Sequence, residues 1–423
     1  MLHALAIVAC LVLVSCCATG AERPRRELRD GRLYVGGVWT FLKLAVPLRN
    51  FADAGDVDRL IADLPTLTGK GYNAFKINCY WHHFDPDGDG APDVSLAPLA
   101  KLVDAIEAAG AYAILSTETY GVGGGQIPEG FWKRHPDAAA RDADGNPVKD
   151  DEYGFGGAVP SILHPEYQAT TRRFIAALSR AIDPTRWLWF ETTVEPQYMG
   201  NRSLDYTPAA KQAYEAWLRR SGTKGPAFPT AMPAPAAFRD DPVWNRFRAL
   251  ALAAWVSGDA KAFRDAGGTG FVAIDYLETG GGEMRFRNGD SLSFLTALTG
   301  VDIIQVNWHW HLASRAANAV AYDTVTAAEA ERAKATPAPR PWAVMEHMTL
   351  NGQDYRPDEV AAMLRNTLAR GTLLGWEFVN VAPRSADAFA CYHDDWSPKP
   401  LIAEVDGKWP QWLAEIEIAA REP

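Results

Sequence analysis

Two glutamates lie at the ends of short apolar runs in this sequence, and carboxyl groups so placed can act as acids, bases or nucleophiles. Glu195 ends the run that begins at Trp187 and is followed directly by Pro196. Because proline cannot continue the hydrogen-bond ladder of a strand, we predict that the strand stops at Glu195 and leaves its carboxyl at the mouth of the sheet. Glu346 lies in a second apolar run, residues 341–348. We interpret the two acids as a catalytic pair; the alternative is that each only ends a strand before a turn.

Alternation along the predicted strands places further polar side chains beside these acids. With a period of two residues, Glu191 shares a face with Glu195. On another predicted strand Lys76 points inward, where it could hold Glu346 ionised or form a buried ion pair with Glu191. The other inward or strand-end side chains that could contact a substrate are Asn78, Tyr80, Trp81, Glu118, Gln305, Asn307 and His309.

These side chains need a scaffold that brings the ends of several strands together. Apolar runs alternate with helical stretches eight times, which favours an α/β fold with a closed (β/α)8 barrel and an active face at the carboxyl ends of the strands. A doubly wound open sheet is the alternative, but Val35-Gly36-Gly37 lacks the GxGxxG continuation typical of that fold. The predicted strands are Tyr34–Leu44, Asn73–Trp81, Ala111–Tyr120, Thr185–Glu195, Gly270–Glu278, Val301–Trp310, Pro341–Met348 and Gly371–Val381.

Helices and long loops complete the predicted barrel. Proline or a capping residue at the start and glycine at the end indicate helices over residues 56–69, 96–110 and 357–371. Two longer segments, residues 121–164 and 197–268, follow the third and fourth strands. We expect both to enlarge the loops of the active face.

The composition is that of an ordinary globular protein. Of its 423 residues 48% are hydrophobic and 22% are charged, which is enough apolar material for a large core. We expect one domain over residues 31–423, preceded by a charged tether of residues 21–30. The formal net charge of -10 argues against nucleic acids and anionic membranes as partners, whereas a neutral ligand such as a sugar fits it better.

The first 20 residues resemble an export signal. They contain no Asp, Glu, Lys or Arg, and the apolar run of residues 4–14 is too short to cross a bilayer as a mature helix. Residues 13–16, Leu-Val-Ser-Cys, resemble a bacterial lipobox, in which Cys16 would become the lipid-bearing first residue. Ordinary cleavage after Gly20 is the alternative. We expect a protein that is periplasmic, attached to the outer membrane or extracellular, with membrane contact only through such an anchor.

The cysteine count excludes a disulfide framework. Three of the five cysteines lie in the N-terminal segment, which leaves Cys79 and Cys391. These two either form a single bridge or remain separate buried thiols.

Two strand ends carry a resemblance to known enzymes. Phe190, Glu191, Glu195 and Pro196 are similar to a fourth-strand signature in which an aromatic-Glu pair precedes Asn-Glu-Pro. Residues 344–346, Val-Met-Glu, are similar to a seventh-strand segment that carries a nucleophile. On these segments the chain resembles the clan A glycoside hydrolases, which include the family 5 glycanases and the family 42 β-galactosidases. Gly71, Asn73 and Lys76 also resemble the second-strand Gly-x-Asn-x-x-Arg pattern of the clan, with Lys for Arg, and residues 397–400 resemble the segment before its last helix.

The resemblance implies a retaining β-glycoside hydrolase, β-galactosidase-like or endo-glycanase-like, that acts on oligo- or polysaccharides, and the N-terminal segment adds the expectation that it is exported. In such an enzyme Glu195 is the acid/base, Glu346 is the nucleophile and Trp376 forms a floor under the cleaved sugar. One position departs from the pattern, because Val194 stands where the clan has the Asn that binds the substrate 2-hydroxyl. A barrel that binds glycans without cutting them is therefore an alternative function.

Two local patterns suggest metals, but neither fits a known site well. His309 and His311 form an H-x-H pair, which metal-dependent barrel hydrolases carry on the first strand and not on the sixth. The loop Asp85, Asp87 and Asp89 resembles the start of a calcium loop, but position twelve is Leu96 and not Glu. We interpret the loop as a turn and predict neither a metal nor another cofactor.

Overall fold

The structure is a computed structural model that describes residues 23–120, 127–149, 157–199, 203–277, 284–308, 315–348, 362, 374–387 and 390–419. At residues 284–285, 308, 315–319, 346–348 and 419 the description covers the backbone alone. Among the described residues, no helix is both long enough and apolar enough to cross a membrane.

Eight parallel strands close into a barrel, as the sequence predicts. Their bounds are β4 Leu42–Val46, β5 Ala74–Tyr80, β6 Tyr112–Glu118, β7 Trp189–Glu191, β8 Phe271–Tyr276, β9 Ile303–Trp308, β10 Ala343–Met348 and β11 Gly375–Val379. Their order around the barrel is β10-β11-β4-β5-β6-β7-β8-β9, so the last strand in the chain pairs with the first barrel strand. The outward side chains of the strands are mainly apolar because helices cover that face.

Helices surround the barrel and bury their apolar faces against it. In α1, for example, Asp53 caps the amino terminus by accepting a hydrogen bond from the Asp56 amide, and Val57, Leu60 and Leu64 point into the core. The helix bounds are α1 Ala54–Gly69, α2 Trp81–Phe84, α3 Ala97–Ala108, α4 Glu129–Arg134, α5 Pro165–Ala181, α6 Pro208–Ser221, α7 Ala236–Arg239, α8 Pro242–Asp265, α9 Met284–Arg287, α10 Ser291–Ala297, α11 Arg315–Arg332 and α12 Pro400–Ala419. The helix predicted at 357–371 falls outside the described residues, except for residue 362.

The prediction of a first strand over Tyr34–Leu44 is wrong. This region contains the end of a small antiparallel sheet, formed by β1 Arg26–Arg29, β2 Arg32–Val35 and β3 Val38–Trp39, and then the start of β4. Two-residue turns join the three strands, and both residues of each turn have positive φ: 52° and 71° at Asp30-Gly31, 58° and 81° at Gly36-Gly37. That backbone is what tight hairpins require. Residues 26–29, which we assigned to a tether, are thus part of the folded sheet.

The small sheet closes the amino-terminal end of the barrel. Leu28, Leu33 and Val35 pack into the interior cluster that also contains Leu42 and Trp189. The Arg26 guanidinium donates to the carbonyl of Trp187, just before β7, over 2.6 Å. The opposite end of the barrel, at the carboxyl ends of the strands, is where we expect the functional site.

The segment after β7 forms a helical excursion with its own core. Residues 203–247 include α6 and α7, and their aromatic side chains pack together around Trp244. The excursion lies on the loop side predicted to be enlarged. Cys79 and Cys391 are both buried free thiols, which confirms the two-thiol alternative.

Candidate active site

Glu195 lies at the carboxyl end of the barrel, but a loop and not a strand positions it. Strand β7 ends at Glu191; the Thr192 amide still donates to the Ala273 carbonyl over 3.1 Å, and the chain then leaves the sheet. This corrects the predicted strand end at Glu195. Glu195 has a φ of 46°, which is rare for a residue with a side chain, and it is only 8% exposed.

Two amide groups hold the Glu195 carboxyl. The Asn307 Nδ2 donates to Oε1 over 2.6 Å, and the Gln197 Nε2 donates to Oε2 over 3.2 Å. The same Asn307 amide lies 3.4 Å from Asp275 Oδ2. Asn307 faces the barrel interior, as the alternation of its strand predicts.

Lys76 is the centre of a buried charge cluster on the barrel floor. Its ammonium lies 2.8 Å from the Glu191 carboxylate and 2.5 Å from that of Glu377. Burial alone would lower the pKa of Lys76, but Glu191, Glu377 and Asp275 outweigh it and raise that pKa above its ordinary value. The ion pair with Glu191 is one of the two alternatives drawn from the sequence; contact with the Glu346 side chain falls outside the described residues.

Glu118 adds another acid to this cluster. It lies at the end of β6, and burial together with the neighbouring Glu191 raises its pKa to about 8. Its carboxyl also accepts a hydrogen bond from the Val194 amide, in the loop that carries Glu195. Burial raises the pKa of Glu191 to about 7, although Lys76 opposes the shift.

Asn78 and Tyr80 continue from the floor toward the mouth along β5. Asn78 is buried and Tyr80 is half-buried. Burial and the nearby Glu118 raise the pKa of the Tyr80 phenol to about 12, so it remains a neutral hydrogen-bond donor. The half-buried rings of His82 and His83 lie 6.2 and 5.6 Å from the Tyr80 ring.

The two tryptophans predicted to bind substrate lie in the hydrophobic core, which corrects their assignment. Trp81 packs against Phe131 at 5.3 Å and donates from Nε1 to Asp85 over 2.7 Å. Trp376 packs against Phe41 and Trp409, between the barrel and the helices. Because side chains alternate along β11, it is Glu377 that points into the barrel.

Two predicted residues fall outside what the structure describes. The backbone of Glu346 belongs to β10, where it pairs with Val306 and Trp376, but its side chain is outside the described residues. His309 and His311 are outside them entirely. His309 therefore stays a predicted substrate contact, and the H-x-H alternative is untested.

The acidic loop after α2 has the structure of a turn. Asp85, Asp87 and Asp89 lie close together, and Asp85 accepts hydrogen bonds from Trp81 Nε1 and from the amides of Gly88 and Gly90. These hydrogen bonds hold the loop in the predicted turn.

Sequence reasoning missed four side chains of the site. Asp275 and Glu377 follow from alternation along β8 and β11, so this signal was present in the sequence. Gln197 and Arg287 lie in the loop after β7 and in α9, and no local pattern marks them. The protein is therefore a (β/α)8 barrel with a buried glutamate at its carboxyl end, above a polar floor rich in acids. The carboxyl end is the usual place for catalysis in this fold.

Comparison with known proteins points the same way. A family model described as β-galactosidase, Glyco_hydro_42, matches residues 54–223, a segment that includes Lys76, Glu118 and Glu195. No curated protein sequence is significantly similar to the chain.

Solved structures of glycosidases share the fold. The β-galactosidase of the psychrophilic Marinomonas ef1 has a TM-score of 0.66 at 15% identity, over 90% of this chain and 60% of that one. The β-galactosidase of Bacillus circulans sp. alkalophilus has a TM-score of 0.62 at 16% identity, over 87% of this chain and 55% of that one. The catalytic domain of the β-amylase of Paenibacillus polymyxa has a TM-score of 0.61 at 13% identity, over 86% and 97%. The chain thus spans about 60% or less of the two β-galactosidases, and at these identities the likeness shows the fold.

Proposed function

We propose that the protein is a retaining β-glycoside hydrolase, β-galactosidase-like or endo-glycanase-like in its substrate. The observation that carries the proposal is Glu195, an almost buried carboxyl with a positive φ, held by two amides at the carboxyl end of a (β/α)8 barrel. Strained backbone at such a place is typical of functional residues. The match of residues 54–223 to a β-galactosidase family model supports the same class of reaction.

In the proposed mechanism, Glu195 protonates the glycosidic oxygen while Glu346 attacks the anomeric carbon. The bond to the leaving group breaks as the bond to the Glu346 carboxylate forms, which gives a covalent glycosyl-enzyme. Glu195, now ionised, removes a proton from a water molecule. That water displaces Glu346 and releases a sugar of retained configuration.

Neutral polar groups are suited to bind the substrate. Asn78, Tyr80 and Asn307 line the route from the floor to the mouth, and amide and phenol groups pair with sugar hydroxyls without a charge mismatch. Of the buried acids below them, Glu191 and Glu377 are paired with Lys76, and the raised pKa of Glu118, about 8, keeps a proton on it at neutral pH. We assign those acids to the support of the site.

The test is hydrolysis of a panel of aryl β-glycosides, beginning with an aryl β-galactoside. In Glu346→Ala no covalent intermediate forms, so turnover should fall at least about 100-fold for every leaving group. In Glu195→Ala an activated leaving group needs no proton, so its release should suffer less than that of a natural sugar. Glu215→Gln, at a half-exposed position of α6, is the matched control and should keep wild-type turnover.

Azide separates the two roles. A small anion attacks the intermediate without a general base, so Glu195→Ala with azide should regain turnover and yield a β-glycosyl azide. Glu346→Ala should yield the α-azide. Near-normal activity in both variants would overturn the assignment of roles.

A glycan-binding barrel that does not cut is the second candidate, and Val194 favours it. Valine cannot supply the amide that the clan places before its acid/base. If the wild-type protein binds oligosaccharides in calorimetry but hydrolyses none of the panel, this candidate replaces the first.

We further propose that the protein is exported, on the basis of the uncharged apolar segment at residues 1–20 and the lipobox-like residues 13–16. Export would bring the site to extracytoplasmic glycans.

A further inference from the structure

A chain of buried hydrogen bonds runs from α9 to the carboxyl of Glu195. The Arg287 Nη1 donates to Gln197 Oε1 over 2.6 Å, and the Gln197 Nε2 donates to Glu195 Oε2 over 3.2 Å. Gln197 is 1% exposed and Arg287 is 5% exposed. Buried polar groups of this kind destabilise a fold unless they are paired. This series of hydrogen bonds therefore satisfies groups that the fold would otherwise leave unpaired.

Arg287 fixes which way the Gln197 amide points. A guanidinium can only donate hydrogen bonds, so the amide oxygen of Gln197 must face it. The amide nitrogen must then face Glu195. A flipped amide would place two donors together on the arginine side and an oxygen against the Glu195 carboxylate.

The other oxygen of Glu195 accepts from an amide on strand β9. The Asn307 Nδ2 donates to Oε1 over 2.6 Å and also lies 3.4 Å from Asp275 Oδ2, a second acceptor on the same side of the amide. Each oxygen of Glu195 therefore accepts from an amide whose nitrogen is directed toward it by a second neighbour.

The loop of Glu195 is also fastened to α9 through the backbone. The Tyr198 amide donates to the Arg287 carbonyl over 2.5 Å. Because Glu195 has left β7 and has a φ of 46°, its own strand does not orient its side chain. Its contacts with Gln197 and Asn307 do so, and Arg287 acts on it through Gln197.

We propose that Gln197 and Arg287 are positioning residues that fix the orientation of the Glu195 carboxyl and the pH at which it loses its proton. The inference rests on the proposed role of Glu195 as the acid/base. Both residues act through hydrogen bonds that stabilise the ionised carboxylate, and Arg287 acts through Gln197.

Gln197→Met and Arg287→Met test the proposal in the full-length protein. Each should lower kcat about 10- to 100-fold and leave KM within about twofold, since a small misplacement of a catalytic group costs this much. Loss of a donor to the ionised form should also move the alkaline limb of kcat/KM to higher pH, because that limb reports loss of the proton from the free enzyme's acid. Arg287→Lys keeps a donor and should restore most of kcat.

Two further variants complete the test. One is a control, and the other tests the proposal if Gln197→Met does not fold. Tyr198 lies in the same loop as Glu195, and its hydroxyl donates to the Arg248 carbonyl of α8. Tyr198→Phe removes this buried hydrogen bond and should leave the alkaline limb of kcat/KM in place. Gln197→Glu keeps a partner for Arg287 but presents a carboxylate to Glu195, so its alkaline limb should move further up. An unmoved limb in Gln197→Glu and in Gln197→Met would overturn the proposal.

Carboxyl ¹³C NMR of Glu195 gives a readout that needs no substrate. The signal is assigned by its absence in Glu195→Gln, and its titration midpoint should rise by about one pH unit in Gln197→Met, the size expected for loss of one hydrogen bond to a charged group. If the wild type hydrolyses no glycoside but this midpoint moves, the proposed function fails while the positioning role stands. An unchanged midpoint in an active enzyme overturns only the positioning role.

Discussion

At the scale of single residues, the described part of the barrel floor has more acids than the Lys76 ammonium can neutralise. Lys76 contacts Glu191 and Glu377. Asp275 and Glu118 are close enough for their charges to interact with that of Lys76. Four ionised carboxylates around one ammonium would leave a large uncompensated charge in the interior. A pKa of about 8 at Glu118 means that this group holds a proton at neutral pH and reduces that charge.

This proton makes stability depend on pH in a defined direction. Because the folded pKa of Glu118 is above its unfolded value of about 4.5, the folded protein binds more protons between pH 4.5 and about 8, and its free energy of unfolding falls as pH rises through that window. Glu191, with a folded pKa of about 7, contributes with the same sign.

Glu118→Gln should reduce this loss of stability, because glutamine resembles the protonated acid and cannot ionise. We expect the melting temperature at pH 9 to lie a few degrees above that of the wild type, since 1 kcal/mol corresponds to roughly 2–4 °C in domains of 150–250 residues. Melting curves recorded from pH 5 to pH 9 are the measurement, with Glu215→Gln, at a half-exposed position, as control. Parallel curves for wild type and Glu118→Gln would contradict the role given to this proton.

The sequence predicted inward residues well where a strand carries them. Alternation placed Lys76, Asn78 and Asn307 inside the barrel, because the period of a strand is a property of its backbone. The same alternation along β11 points Glu377 into the barrel and Trp376 out toward the helices, against the role that the family resemblance implies for Trp376. Arg287 could not be predicted, because its contact with Gln197 depends on the path of two loops.

At the scale of elements, the small sheet β1–β3 serves as the base of the barrel. Leu33 is completely buried in the interior cluster, whereas Val38 on the neighbouring strand is 68% exposed. The sheet therefore contributes apolar burial on one face and little on the other.

Leu33→Ala should lower the free energy of unfolding by about 2–5 kcal/mol, the usual cost of a buried leucine and its cavity. The expected measurement is a lower urea midpoint with the kinetics of the proposed hydrolysis unchanged below the transition, since the sheet is at the end opposite Glu195. Val38→Ala in the same sheet is the matched control and should change stability by less than about 0.5 kcal/mol. Equal effects of the two substitutions would mean that the sheet does not support the barrel.

The element boundaries show which sequence signals decide local structure. Asp30-Gly31 and Gly36-Gly37 are dipeptides typical of hairpin turns. This turn signal, and not the apolar run around it, decides the structure, and Gly36-Gly37 divides the predicted first strand. The early end of β7 at Glu191 has no comparable signal. Pro196 shows only that strand pairing cannot extend past that position. The pairing in fact ends earlier, at Glu191.

At the scale of the whole molecule, the two ends of the barrel have different surroundings. The first described residues lie at the amino-terminal end, where Arg23 donates to Thr185 Oγ1 over 3.2 Å, just before β7. Glu195 lies at the carboxyl end. A lipid attached a few residues before Arg23 would therefore hold the closed end toward a membrane and leave the mouth of the site facing away, open to large glycans.

This arrangement is tested by the fate of the N-terminal segment in a bacterial host. Mass spectrometry of the purified protein should find a mature chain that begins at a lipid-modified Cys16 and fractionates with membranes. Cys16→Ala should abolish the lipid and the membrane fraction, while Cys17→Ala, its immediate neighbour, should retain both. If cleavage instead follows Gly20, the chain should be soluble outside the cytoplasm and neither substitution should change its location. A cytoplasmic chain that retains Met1 would overturn export in both forms, and the mouth of the barrel would then meet only glycans small enough to enter the cell.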